Sequence, residues 1–228
     1  MVSRLLRRSG VAVGQESARL GWTPDCLIQV GVGGYHQEID VLKEEWPEMK
    51  FLGFEPLPDI VKGIKDYPGE LREIAISDEC GEGEIYVKNR HKDGTSVFPF
   101  NDDIKIRKIL PVKTDTLDNQ IPKLDVFGKD VILWLDCEGS ELRALGGAET
   151  LLKSIKMVNV EMTPSPPSMY WPTPNEIHNV LHDAGFYRQC LHTMKGGQYD
   201  AIYVKKEIFQ AKYCCCPFTV TQFENDMK

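Results

Sequence analysis

The stretch LIQVGVGGYHQEIDVLKEEWPEMKFLGFE, residues 27–55, decides the fold. Its apolar run Leu27 to Val30 empties into Gly31, Val32, Gly33 and Gly34. An amphipathic segment, Tyr35 to Trp46, follows, and a second apolar run, Phe51 to Phe54, ends on Glu55. Apolar run, glycines, helical periodicity and apolar run, in that order, read as the strand, tight turn, helix and strand that open a βαβ unit. Glycines there permit positive φ and a close approach of backbone to a nucleotide-like ligand, and the first amides of the following helix point unpaired at the same place. Glu55 arrives roughly 20 residues after the glycines, where a carboxylate can accept both hydrogen bonds of a ribose diol. The same glycines also suit a purely structural turn. A dinucleotide fingerprint would need glycine at position 36, where His36 stands, so a nicotinamide cofactor is disfavoured.

Working outward from that unit, Pro56 and Pro58 bracket the start of a helix near Asp59 to Lys65, which Pro68 and Gly69 end. A third strand is expected from Leu71 to Ile76, ending in Ser77 and Asp78 at the edge where open α/β sheets bind ligands. Asp78 reads either as a partner for an exocyclic amine or as a turn residue of Asp-Glu-Cys-Gly. Gly83 to Asn89 alternates, Gly94, Thr95 and Ser96 form a polar loop, and Leu110 to Leu117 is extended, which together suggest added strands. The segment Phe98 to Lys108 follows no single period.

Val131 to Leu135 is a buried strand that ends in Asp136, Cys137, Glu138, Gly139, Ser140 and Glu141. Ser140 suits the N-cap of the next helix and Glu141 its first turn, with Leu142, Leu145, Leu151 and Leu152 as the apolar stripe. Asp136 and Glu138 precede that helix, where carboxylates project into the crevice. Met157 to Val160 is another strand, ending at Glu161. Thr163 to Pro174 then holds five of the fourteen prolines with Met169, Tyr170 and Trp171, a stiff loop whose aromatics could wall a sugar ring. A helix from Asn175 to Ala184, stopped by Gly185, precedes a hairpin of Phe186 to Leu191 and Tyr199 to Val204 across Gly196 and Gly197.

The chain has 228 residues, 42% hydrophobic and 27% charged, enough for one domain with a core. A net charge of −7 argues against nucleic acid as a partner. Seven dispersed cysteines (26, 80, 137, 190, 214, 215 and 216) with no secretory signal point to reduced thiols and a cytoplasmic setting. No apolar run reaches membrane-span length. Residues 1–22, with Arg4, Arg7, Arg8 and Arg19, read as a basic arm or peripheral helix. Residues 23–209 make the domain, and 210–228 a cysteine-containing tail.

The stretches LIQVGVGG, FLGFEP, EIAISD, PVKTDTLD, LWLDCEGSELRALGGA and VNVEM, in this order, resemble the FkbM-type family of S-adenosylmethionine-dependent methyltransferases. The resemblance runs from about Cys26 to Val204, and D-x-E-G-x-E is its most specific part. It implies an α/β fold with a Rossmann-like, mostly parallel seven-stranded sheet, helices on both faces and a C-terminal antiparallel hairpin. It also implies methyl transfer from S-adenosyl-L-methionine to oxygen, often a sugar or glycan hydroxyl. Gly31, Gly33 and Gly34 then match the methionine-moiety site, Glu55 the ribose clamp and Ala75, Ile76, Ser77 and Asp78 the adenine edge, with Gln29, Tyr35 and Pro56 as further cofactor contacts. Gln29 stands where the family usually has an acidic residue. On the acceptor side stand His36, Thr95, Ser96, Glu161, Tyr170 and Trp171.

Asp136 and Glu138 match the reaction-centre carboxylates, and Asp136 also touches the cofactor. Asp136, ending the most apolar strand, is expected to be the general base, with Glu138 holding the acceptor. The chemistry requires no metal. Asp136, Glu138 and Glu161 could nonetheless gather as oxygen ligands for a hard cation. Two other functions compete: a binding module without turnover, and a nicotinamide oxidoreductase, which His36 and the lack of a Tyr-x-x-x-Lys pattern disfavour.

Overall fold

The five buried residues Cys26–Val30 form strand β1 at the heart of the main sheet. Its side chains alternate between two cores, as a strand buried on both faces requires. In this computed structural model, residues 3–33, 37–88, 95–101, 105–120, 129–193 and 198–213 are described. Gly34, Tyr35, His36, Gly94, Gly196, Gly197 and Cys214 to Cys216 lie outside them.

The other strands of this sheet are β2 (Lys50–Phe54), β3 (Glu70–Arg72), β8 (Val131–Leu135), β9 (Ile155–Met162), β10 (Phe186–Thr193) and β11 (Tyr199–Lys205). Their spatial order is β10-β11-β9-β8-β1-β2-β3. The β1, β2, β3, β8 and β9 neighbours pair in parallel, whereas β11 runs antiparallel to both β9 and β10. The chain thus winds one way through β2 and β3 and the other way through β8 and β9, so the sheet reverses between β1 and β8.

Helices α1 (Ser3–Leu20) and α2 (Gln37–Glu45) cover one face. Ala12, Val13, Ile39 and Leu42 pack there on Leu27, Ile132, Trp134, Met157, Ile202 and Val204. The buried positions Ser9, Ala12, Val13, Ser17 and Leu20 recur at helical spacing, so residues 3–20 form a core helix. On the other face, α5 (Glu141–Gly146) and α6 (Pro174–Asp183) supply Ala144, Leu145, Ile177 and Leu181 against Ile28, Val30, Leu133, Leu135, Val158 and Val160. Thr173 and Glu176 close a capping box at the start of α6.

The expected strand Leu71 to Ile76 is broken in two. Glu70–Arg72 stays in the main sheet, while Ala75–Ile76 forms β4 of a second sheet with β5 (Gly81–Lys88), β6 (Thr95–Ser96) and β7 (Ile106–Asp115), ordered β4-β7-β5-β6. The charged pair Arg72 and Glu73 interrupts the apolar run, and the Arg72 carbonyl accepts from both Glu55 N and Ile74 N, which turns the chain. Leu110 to Leu117 also ends early, because Leu117–Gln120 forms the short helix α4. Helix α3 (Pro58–Val61) is shorter than the sequence suggested, and α7 (Lys206–Tyr213) follows β11. No helix among the described residues is long and apolar enough to cross a membrane.

Candidate active site

At the carboxyl ends of β1 and β8, where the strand order reverses, opens a cavity of about 270 Å³. It is lined by Gly31 and Gly33 after β1, Glu55 after β2, Asp136, Glu138 and Ser140 after β8, and Glu161 near the end of β9. The lining also includes the apolar Ile60, Ala75, Ile76, Ile85 and Val97 together with Pro56, Thr95 and Ser96.

Gly31 is required by contact as well as conformation. Its φ is +83°, and a Cβ on it would lie 1.7 Å from the Asp136 carbonyl oxygen. Only glycine lets the turns after β1 and β8 lie backbone against backbone. Gly33 N donates to Glu55 Oε2 at 2.9 Å, and Leu57 N donates to Glu55 Oε1 at 3.0 Å. The buried Glu55 carboxylate therefore ties the glycine turn to the chain after β2.

The turn after β8 is held in an uncommon conformation. Glu138 has φ 52° and Gly139 φ 96°. Glu141 reaches back from the start of α5, and its Oε1 accepts from Cys137 N and Gly139 N, both at 3.2 Å. Burial pushes the Glu141 carboxyl above its usual range, against the pull of these amides. A left-handed glutamate persists where its surroundings over-determine it, and such strain gathers at functional sites. Glu138 Oε2 lies 3.9 Å from Lys88 Nζ, which sits 4.5 Å from the Phe100 ring centroid.

Ser140 occupies the N-cap position, but its ψ of 9° is not extended and its side chain caps nothing. Its Oγ is buried, has no protein partner, and belongs to a residue of the cavity wall. The capping role expected from sequence is thus not the one found.

The Asp136 and Glu161 carboxyl groups lie within hydrogen-bonding reach of each other. Two carboxyl groups can share a hydrogen bond only if a proton stays between them. Gln198 Nε2 donates to Glu161 Oε2 at 3.1 Å. Burial, followed by the charges of Glu138, Asp200 and Glu141, pushes Glu161 up to about 8, while hydrogen bonding with Asp136 works the other way. Cys137 is pushed up by burial and the neighbouring carboxylates, so its thiol keeps its proton.

Several expected contacts stand elsewhere. Gln29 is buried on the α1 face, where its Oε1 accepts from Tyr67 OH at 3.2 Å. Ser77 and Asp78 lie outside the cavity lining, with Asp78 3.8 Å from Arg143. Trp171 is buried, not a free wall: Nε1 donates to Ser96 Oγ at 2.9 Å and its ring lies where a Gly139 side chain would be. Tyr170 is exposed and stacks on Phe98. Neither aromatic is in the lining, while Thr95 and Ser96 are. Among the described residues no three His, Cys, Asp or Glu are placed to hold a metal ion, so the suggested cation set is not formed.

Sequence reading missed Asp200 and Gln198, whose only signal was a charge and an amide flanking Tyr199 at the start of an apolar strand. It also missed Ile60, Ile85 and Val97 as apolar lining.

A mostly parallel sheet with a glycine turn after its central strand and an acidic residue after the next defines a Rossmann-like fold. The family model described as Methyltransferase FkbM domain matches residues 29–187, more than half of the chain. The chain belongs to that family. No curated protein matches it at a significant level.

Among solved structures it is similar to the plantazolicin methyltransferase BamL in complex with a triazolic desmethylPZN analog and SAH. That match has a TM-score of 0.50 and 9% identity, and covers 90% of this chain and 85% of that one. It is also similar to a SAM dependent methyltransferase from Aquifex aeolicus, with TM-score 0.44, 14% identity and coverage of 89% and 92%. Precorrin-6y C5,15-methyltransferase from Geobacter metallireducens GS-15 matches with TM-score 0.45, 12% identity and 85% of each chain. At such identities the likeness is one of fold.

Proposed function

We propose that this FkbM-family protein transfers a methyl group from S-adenosyl-L-methionine to a hydroxyl, of the kind a sugar or glycan presents. The observation that carries the reading is that the acids Asp136, Glu138 and Glu161 line the same cavity as Gly31, Gly33 and Glu55. The residues suit the cofactor. Gly31 lets the turns after β1 and β8 close on each other beside the cavity, the Glu55 carboxylate stands at the cavity where a ribose diol would lie, and the acidic lining suits a sulfonium charge. Ala75, Ile76 and Ile60 offer an apolar slot for a base.

When bound, S-adenosyl-L-methionine supplies a methyl group on a sulfonium: the acceptor oxygen takes the methyl, the carbon–sulfur bonding pair stays on sulfur, and the hydroxyl proton leaves the oxygen. The chain's own residues hold the acceptor and receive that proton. Ser140 Oγ, buried and unpartnered, is a ready hydrogen-bond partner for the acceptor. Glu138, steadied by Lys88, is a second.

Sequence alone pointed to Asp136 as the base. We extend that role to the Asp136–Glu161 pair acting together, because a group whose proton affinity lies near working pH is the efficient proton acceptor. The pair must shed its resting proton before it can take the acceptor's.

Calorimetry with S-adenosyl-L-methionine, its demethylated product and NAD is the first test, and binding of the first two without NAD is expected. A mass-spectrometric screen of sugars for the gain of one methyl then identifies the acceptor. Tight NAD binding without S-adenosyl-L-methionine binding overturns the reading.

A further inference from the structure

One buried acid remains outside the chemistry described so far. Asp200 lies on β11 directly opposite Glu161 of β9 in the antiparallel register. It is 5% exposed, and Ser9 of α1 donates its hydroxyl to Asp200 Oδ2. A line of side chains thus runs from the amino-terminal helix to the reaction centre: Ser9, Asp200, Glu161, Asp136. Both Ser9 and Asp200 fall outside residues 29–187, the part matched by the family model.

We propose that Asp200, anchored by Ser9, is a positioning residue that keeps the shared proton on the Asp136–Glu161 pair and so couples helix α1 to the reaction centre. The physical reason lies in the neighbours of Glu161. The described titratable groups facing it are Asp136, Cys137, Glu138 and Glu141 from the turn after β8, and Asp200 from β11; Gln198 adds a neutral donor. Like charges packed together disfavour a further ionisation, and Asp200 is the member held by an element other than the turn itself. The hydrogen bond from Ser9 fixes where the Asp200 carboxyl group sits. A charge fixed across the register from Glu161 disfavours ionisation of the pair, so the proton stays on it.

The inference deepens the proposed function and rests on it for catalytic meaning, but its readout needs neither cofactor nor acceptor. Infrared spectroscopy of the full chain between pH 5 and 10 follows the protonated-carboxyl band, assigned to Glu161 by its loss in Glu161→Gln. In Asp200→Asn, nearly the same size and still able to accept from Ser9, the midpoint of that band is expected to fall by about one pH unit. Ser9→Ala is expected to move it in the same direction by less, and to add nothing in the Asp200→Asn background. An unchanged midpoint in a folded Asp200→Asn protein overturns the proposal. Additive effects of the two substitutions overturn the Ser9 anchor. If the band titrates as expected but no S-adenosyl-L-methionine binds, the proposed function fails and the coupling stands.

Discussion

Glu161 holds a proton in the folded protein at a pH where the unfolded chain has lost it, and two measurable slopes follow. Its ordinary value is 4.5 and burial among like charges raises it to about 8. Between these values the folded state binds more protons than the unfolded one, so stability falls as pH rises through that window. Denaturant midpoints should decline across it in the wild type and decline less in Glu161→Gln. Catalysis runs the opposite way. The ionised pair is the active form, so kcat should rise with pH toward about 8 and be lost as pH falls below it. Glu161→Gln should remove that limb and lower kcat by roughly 100-fold, while Asp136→Asn should lower kcat similarly and leave cofactor affinity nearly intact. A pH–rate profile unchanged in Glu161→Gln refutes the pair as base. Ser140 offers a contrasting signature. Its hydroxyl has no protein partner to lose, so Ser140→Ala should leave stability unchanged or slightly raised and should raise acceptor KM by about fivefold. A loss of stability with unchanged KM would instead make Ser140 structural.

At the scale of elements, the loop after β9 shapes the site by pressing on it from behind. Trp171 packs against Gly139 and donates to Ser96, Ser168 Oγ donates to the Pro99 carbonyl at 2.6 Å, and Asn101 N donates to the Pro167 carbonyl at 2.9 Å. The strap thereby joins the second sheet to the turn that carries Glu138. Gly139→Ala would put a Cβ 2.4 Å from the indole ring at φ +96°. It should cost about 3 kcal/mol in chemical denaturation and disturb Glu138 before it disturbs Glu55. This strap also marks where sequence reading stopped. The glycine turn, the strands ending in Glu55, Asp136 and Glu161, and the final hairpin were legible because each is a local pattern of period and punctuation. The inward turn of Trp171, the reach of Glu141 back to two amides and the pairing of Glu161 with Asp200 are not local. They depend on which strands become neighbours, and residues 39 apart in the chain meet only through the register of β9 and β11. The split of Leu71 to Ile76 was missed for a related reason: half of that run finds its partner in β7.

For the whole molecule, the decisive question is whether α1 is part of the working unit, since it precedes the region matched by the family model. Physical reasoning says that it is. The α1 face of the sheet carries Leu27, Ile132, Met157, Ile202 and Val204, all buried, and Val13 is fully buried among them. Removing residues 3–20 would open this apolar surface to water, at about 25 cal/mol for each Å² exposed, against a total stability of only about 5–15 kcal/mol. The shortened chain should therefore be insoluble or lack a cooperative transition. A graded test is available in Val13→Ala, which deletes two buried methyl groups and should lower stability by about 2 kcal/mol without touching a polar group. Because Val13 lies one helical turn from Ser9 on the same buried face, Val13→Ala should also weaken the hold on Asp200 if α1 shifts. Cofactor affinity should stay the same, since the residues proposed to hold it are fixed by β1 and β2. Equilibrium denaturation and calorimetry on the same variant separate these outcomes. Wild-type stability in Val13→Ala, or a shortened chain that still unfolds cooperatively at the full-length midpoint, would show that the sheet does not depend on α1.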